Sequence, residues 1–458
     1  MATLPQPGPY QPETAILTLG GDFYDPVAAA DFPQAKPRFR NDRWAATVGL
    51  EGLSDDEWVG HFGRFEPLPD NLPEPLALRY HGHQFRVYNP DIGDGRGFLF
   101  AQLRDAGGRL LDLGTKGSGQ TPYSRFGDGR LTLKGGVREI LATEMLEALG
   151  VETSKTFSLI ETGEALERSD EPSPTRSAVL VRLQHSHIRI GTFQRLATLG
   201  ETDNIGKLAA YCLLHYYADE SGDPVRLLEH VADAAARLAA SYIAAGFVHG
   251  VLNSDNIAIT AESFDYGPWR WTPYWDGHFT AAYFDHGGLY SFGRQPEAIH
   301  WDLVQLARSL TAIAEPEELT AVLETFPGHF QHALRDALFA RLGIRPRDLD
   351  DDMKLVVAIE EALAKQTVTI DRFFFDWRGG APPAGYDGFD EVRALVAGHD
   401  AVPGARDHPY WSDAEPCSMH IDEVEALWAA IDTADDWSPF HAKIAAVRRM
   451  GAACHANA

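Results

Sequence analysis

The chain has 458 residues, with 40 Lys and Arg against 66 Asp and Glu, so its net charge is −26 at pH 7. So acidic a balance excludes nucleic acid as the main partner, because neutralising a phosphate backbone needs basic surface; a nucleotide needs only a local basic pocket. Hydrophobic residues at 44% and charged residues at 23% exclude long disorder, and the length asks for two or three domains or one large bilobal unit.

The first 40 residues are rich in Pro and polar residues and read as an extended lead-in, and Pro67, Pro69, Pro73 and Pro75 argue against helix before residue 76. Phe98–Leu103, a Gly107-Gly108 turn and Leu110–Leu113 predict a β-hairpin. Val137–Leu149 predicts an amphipathic helix stopped at Gly150, and Ala178–Leu183 another strand. From about residue 204 the pattern turns helical. Leu227–Ala245 is Ala- and Leu-rich and ends at Gly246, and Ile257–Ile259 reads as a short strand. Further helices are expected at 298–313, 316–326, 330–341, 351–364, 421–432 and 438–450, the last two packed on the helical lobe, with 379–415 a long loop. Strands with one helix followed by a mostly helical half predict an α+β chain with a small β-rich lobe and a larger α lobe.

No basic segment followed by an apolar run opens the chain, and no stretch of about 20 apolar residues occurs, so neither a secretory signal nor a membrane span is expected. Cys212, Cys417 and Cys454 form neither a disulfide framework nor a metal-ligand spacing, and the expected location is a reducing cytoplasm. Cys212 reads as a core residue and Cys454 as an exposed one.

The segment Gly246–Asn256, followed by Asp265-Tyr-Gly267, carries the most chemistry. A protein kinase reads His-x-Asp-x-x-x-x-Asn and then a metal-binding Asp-Phe-Gly. His249 and Asn256 keep that spacing and Asp265 keeps the metal position, but the kinase base position is Val251, which cannot accept a proton. The nearest replacement carboxylate is Asp255. Asn256 and Asp265 are the oxygen donors that Mg²⁺ prefers, with Mn²⁺ the other choice. His249 reads as a hydrogen-bonded structural residue. Lys116 ends a predicted strand and Glu139 opens the next helix, the order of the kinase lysine that holds phosphates and the glutamate that pairs with it. Gly93-Asp-Gly-Arg-Gly97 and Tyr123–Arg130 are arginine-bearing glycine turns that let backbone amides near a phosphate, while Arg182 and Arg189 could grip a polyphosphate. His81 and His83 flank Gly82 without a third ligand in spacing, so no metal is expected there.

With these residues in view the chain resembles the selenoprotein-O family, kinase-fold pseudokinases that act as protein adenylyltransferases. The likeness rests on Tyr80–Phe85, Gly93–Arg96, Lys116–Gly119, Thr121–Arg130, Arg138-Glu139, Phe247–Gly250, Asn253–Asn256, Asp265–Pro268 and Gln295–Glu297, in family order over residues 78–310 and fading beyond about 345. It implies a bilobal protein kinase-like fold: residues 1–75 an N-terminal extension, 76–200 the N-lobe, 201–378 the helical C-lobe and 379–458 a divergent C-terminal region. It also implies an ATP seated in reverse, with AMP passed to Ser, Thr or Tyr of a protein and pyrophosphate released, without nucleic acid or membrane partners. Gly93, Gly95, Arg96, Lys116, Asp128, Gly129, Arg182, Arg189 and Asp265 would contact ATP, Glu139 would orient Lys116, Asn256 and Asp265 would hold the metal, and Asp255 would accept the proton. Arg86 stands where the family has Gly, Gln120 replaces an Arg, and Phe279–Ala282 lacks a family cysteine, which puts a regulatory disulfide in doubt. Two other readings stay open: a divergent kinase using Asp255, and a silent ATP-binding scaffold.

Overall fold

A computed structural model of the chain describes residues 6–169 and 171–456. Its core is one antiparallel sheet. In chain order its strands are β1 (Pro12–Glu13), β2 (Tyr24–Pro26), β3 (Lys36–Arg40) and β4 (Leu76–Leu78). After a separate hairpin of β5 (Gly82–Gln84) and β6 (Val87–Asn89) come β7 (Leu99–Arg104), β8 (Leu110–Lys116), β9 (Leu131–Thr132), β10 (Lys155–Leu166) and β11 (Thr175–Gln184). The main path across the sheet is β2-β4-β7-β8-β11-β10-β3, with β1 beside β7 and β9 beside β11. β8 is buried along its whole length, because apolar material covers the sheet on both faces.

One face, carrying Leu111, Leu113, Val179, Val181 and Leu183, packs on Trp44, Trp58, Phe62 and Phe65. Those aromatic residues come from the segment before residue 76, which is therefore not the extended, helix-free lead-in expected from its prolines. It supplies β1–β3 and a helix, Asp55–Gly63, that starts in a Ser54–Glu57 capping box and ends ahead of Pro67. The opposite face packs on the helix Leu133–Ala148, the predicted 137–149 helix begun a turn earlier by a Thr132 cap. β10 is the longest strand, at 12 residues, and the sequence reading did not find it.

The helical half is built around Pro224–Ala245, which packs against Gln295–Leu310 and Pro316–Leu342. The expected helices 316–326 and 330–341 are one helix that runs through Pro327. Phe326, Leu334 and Leu338, buried on either side of that proline, hold the two halves in line. The stretch 379–415 is not all loop, since it contains a helix at Asp390–Val396.

The terminal helices Ile421–Ala434 and Ser438–His455 pack mainly on the sheet half, and only the end of the second meets the helical lobe, where Arg378 Nη2 donates to the Cys454 carbonyl at 3.2 Å. Arg448 Nε donates to Glu144 Oε2 at 2.8 Å, Lys134 reaches Glu425 at 2.7 Å, and Gly451 lies against Ala148. The helix that carries Glu139 is thereby clamped from outside. Glu144 is almost fully buried, so Arg448→Ala strands its charge; with Arg43 3.7 Å away as partial relief, a loss of about 1–2 kcal/mol is expected in urea unfolding. An unchanged unfolding midpoint would show that the clamp contributes nothing.

Candidate active site

The register of β8 against β11 sets the centre of the site. Lys116 faces Leu180 and Arg182 faces Gly114, so the two cationic side chains are diagonal neighbours on one face of the sheet. Lys116 is ion-paired to Glu139, which lies behind it on the helix and is 1% exposed. Its other partner is Asp265 Oδ1, at 2.8 Å. Arg182 and Arg189 stand 3.7 and 3.9 Å from the same carboxylate. Burial alone would raise the Asp265 carboxyl; Lys116, Arg182, Arg189 and Arg96 outweigh it and hold the group well below the usual carboxylate range. Asp265 is held at φ +63°, a left-handed conformation that a non-glycine residue adopts only where surrounding contacts enforce it.

Ile257–Ile259 is not a strand of a sheet. Ala258 forms one isolated bridge with Arg189, flanked by Ile190 N–H to Ile257 carbonyl and Ile259 N–H to Ile188 carbonyl bonds. This bridge delivers Arg189 to the loop that holds Asp255. Arg189 lies over Tyr80 and Phe264, 4.3 and 4.8 Å from the ring centroids, donates to the Asp255 carbonyl at 2.8 Å and pairs with Asp94 at 3.3 Å. Arg182 stands over Phe264, and its Nε donates to His187 Nε2 at 3.4 Å, while Asp112 accepts the His187 backbone N–H at 2.9 Å. Arg182 Nη1 and Arg189 Nε are buried donors without a hydrogen-bond partner among the described residues, which suits an anion.

Asp255 is 7% exposed, and burial, reinforced by Asp265 and opposed by Arg189, pushes its carboxyl up to about 6. Its Oδ1 has no hydrogen-bond partner among the described residues. Asn256 spends its amide nitrogen on the Val251 carbonyl at 2.9 Å, which turns its oxygen the other way. No three His, Cys, Asp or Glu side chains converge among the described residues. A carboxylate and an amide oxygen suit a hard cation whose remaining ligands are phosphate oxygens and water, so the donor set fits Mg²⁺ without such a cluster. His249 ties the loop together, its Nε2 at 3.0 Å from the Phe264 carbonyl, and His81 and His83 are engaged by Tyr88 and Gln194.

The two glycine turns stack on each other. A side chain at Gly93 would strike the Tyr123 ring, and one at Gly95 the Tyr123 carbonyl, so close packing of the turns by itself requires both glycines. Gly129, at φ +69°, passes against Gly119. Together these elements enclose a cavity of about 670 Å³ lined by every residue expected at ATP, from Gly93 to Asp265. Glu139 and Asn256 stay off its wall. Lys116, Arg182 and Arg189 are buried within it; Asp128 is half-exposed and paired to Arg168 at 2.8 Å. Tyr80, Asp94, Phe264 and His187 were missed as functional residues. Asp112, a carboxylate inside the apolar run Leu110–Leu113, and the motifs that contain Tyr80 and Asp94 were the signals pointing to that layer.

Comparison with known proteins agrees. A sequence model of the family described as protein adenylyltransferase SelO matches residues 9–387. A protein nucleotidyltransferase YdiU of Synechocystis is 43% identical, covering 94% of this chain and 96% of its own. That of Gloeobacter violaceus is 44% identical over 95% of each, and that of Ruegeria pomeroyi 37% identical over 86% of this chain and 84% of its own. The likeness therefore extends well beyond the 78–310 core of motifs and past residue 345. No helix among the described residues is long and apolar enough to cross a membrane.

Proposed function

Because this chain belongs to the protein adenylyltransferase SelO family, we propose that it transfers AMP from ATP to hydroxyl groups of Ser, Thr or Tyr in other proteins. The observation that carries this reading is the position of the charge. Lys116, Arg182 and Arg189 are buried inside the cavity, while Arg96, Arg125 and Asp128 are exposed along its rim. A triphosphate concentrates charge at its tail, so its β- and γ-phosphates go deepest, against the three buried cations Lys116, Arg182 and Arg189, with the exposed Arg96 reaching them from the rim, and the nucleoside sits toward the mouth. There Asp128 can accept from ribose or adenine donors, while its charge keeps it from the phosphates.

In this pose the α-phosphorus faces the Asp255 side. The protein hydroxyl forms a bond to the α-phosphorus, the bond from that phosphorus to the α,β-bridging oxygen breaks, and pyrophosphate leaves with the electron pair. The hydroxyl proton passes to the Asp255 carboxylate. Asp265 and Asn256 would hold a divalent cation, which supplies charge neutralisation at the reacting phosphate. Glu139 fixes Lys116, and the Asp112–His187 pair fixes Arg182 through contacts already in place. Val251 marks the consequence of reversing the nucleotide: with the γ-phosphate buried, a base at the kinase position has nothing to activate. We place the activity in a reducing cytoplasm, where Cys212, Cys417 and Cys454, all free, stay thiols.

Incubation with an acceptor protein and ATP labelled at the α-phosphate is expected to label the protein, while ATP labelled at the γ-phosphate leaves it unlabelled. Label from the γ-phosphate alone would make the chain a kinase, and label from neither, with ATP still raising the melting temperature, would make it a scaffold.

A further inference from the structure

The β5–β6 hairpin is built on a strained turn. It is closed by Phe85 and Arg86, at φ +50° and +62°, a two-residue left-handed turn that normally selects Asn-Gly. Both side chains are put to use. Phe85 packs against Phe284 and Tyr290, with centroids 5.8 and 5.0 Å apart, and Arg86 pairs with Glu297 at 3.0 Å over the Trp301 ring. The hairpin is also fastened to the catalytic loop. His83 N–H donates to Ser254 Oγ, and Asn253 Oδ1 accepts from both Phe85 N–H and Tyr290 O–H, at 3.0 and 2.8 Å. Gly82 lies so close to Asp255 that a Cβ there would stand 2.8 Å from it. The segment from Ala281 to Tyr290 meets the same loop at its two ends, Ala281 against Gly250 and Tyr290 on Asn253.

This rigid assembly leaves large apolar side chains in water. Val87 is 70% exposed, Tyr283 80% and Phe284 43%, and Phe85 bridges from the hairpin to the Phe284–Tyr283 pair. The neighbouring acids are spent: Asp285 accepts the Leu289 and Tyr290 N–H groups, and Glu297 is paired to Arg86 and Arg294. These exposed apolar side chains sit on the two elements that are fastened to the loop of the proposed catalytic carboxylate, on a chain whose net charge is −26. Asp255 is itself 7% exposed, so only a hydroxyl carried on a protruding, extended segment reaches it.

We infer that Val87, Phe85, Phe284 and Tyr283 form the acceptor-docking surface, taking an extended polypeptide that carries a bulky apolar side chain beside its reacting hydroxyl. The inference rests on the proposed AMP transfer, and names its protein substrate by chemistry. The strain of the Phe85-Arg86 turn is explained as well: an Asn-Gly turn would relax the backbone and remove the hairpin's anchor on Phe284 and Glu297.

The test uses short fluorescent peptides, one with Leu and Val flanking a single Ser and one with Asp in their places, read by anisotropy on the full chain with Mg²⁺ and α,β-methylene-ATP. The apolar peptide is expected to bind and the acidic one to fail. Val87→Asp, and separately Tyr283→Ser with Phe284→Ser, are each expected to weaken the apolar peptide by about ten-fold. Nucleotide affinity should stay as in the unaltered chain in both variants, and so should the melting temperature of Val87→Asp, since Val87 is 70% exposed; the double variant also loses the Phe85–Phe284 contact and should melt slightly lower. Equal binding of the two peptides, or full affinity in both variants, would overturn the inference. So would concentration-dependent self-association that the variants abolish, which would assign these side chains to a second copy. Peptide binding without any AMP label would sink the catalytic reading and leave the docking surface standing; label transfer insensitive to both variants would do the reverse.

Discussion

Asp265→Asn is expected to lower AMP transfer by about three orders of magnitude, measured as α-label incorporated into an acceptor protein. The amide keeps the shape and loses the charge that would hold the proposed divalent cation and that makes Asp265 the common counter-ion of Lys116, Arg182 and Arg189. That second role yields an effect opposite in sign. Without the carboxylate, Lys116 retains Glu139 and Arg189 retains Asp94, but the cluster carries excess positive charge in a buried space. The nucleotide-free variant should therefore melt below the unaltered chain, and ATP without metal should restore more stability to the variant than to the parent, because the triphosphate replaces the missing anion. A variant that loses activity with no change in its nucleotide-free melting temperature would contradict this charge accounting.

Asp255→Asn is expected to cost about two to three orders of magnitude in the same assay while leaving ATP affinity intact, since in the proposed reaction the side chain accepts the acceptor's proton and does not grip the phosphates. The pH profile separates this role from mere packing. Burial raises the Asp255 carboxyl to about 6, and only its ionised form accepts a proton, so transfer should climb with pH through that region and level off above it. A divalent cation held by Asn256 and Asp265 would stabilise the neighbouring carboxylate and so move the inflection downward. The variant's residual activity should be flat there. The same shift acts on stability with a defined sign. The folded chain holds this proton up to about pH 6 and the unfolded chain releases it near the ordinary carboxylate value, so Asp255's contribution to stability declines as pH rises through that window. An acid limb that survives in Asp255→Asn would assign the titration to another group.

What could be read from the chain alone follows from how local each signal is. Lys116 and Glu139 were legible because a period-two run and a period-3.6 run meet in an order that kinases share, and the hairpin followed from Gly107-Gly108. Arg182 and Arg189 were legible as cations, but their convergence on Asp265 depends on the β8–β11 register and on the Arg189–Ala258 bridge, neither of which a local pattern encodes. Ile257–Ile259 has strand composition, yet its neighbour is a single stretch around Arg189, so one bridge is all that forms. The segment before residue 76 was misread because strands of two to five residues are too short to show alternation, and its prolines masked a helix that ends before them. Tyr80, Phe264 and His187 act by lying against the arginines, a role visible only once the fold has brought them there.

The central claim is that the triphosphate enters tail first, and a crystal structure with Mg²⁺ and α,β-methylene-ATP tests it most directly. The account predicts the γ-phosphate at the buried end against Lys116, Arg182 and Arg189, the α-phosphate on the Asp255 side and the adenine toward Asp128. Adenine at the buried end, with the γ-phosphate at the mouth, would contradict it.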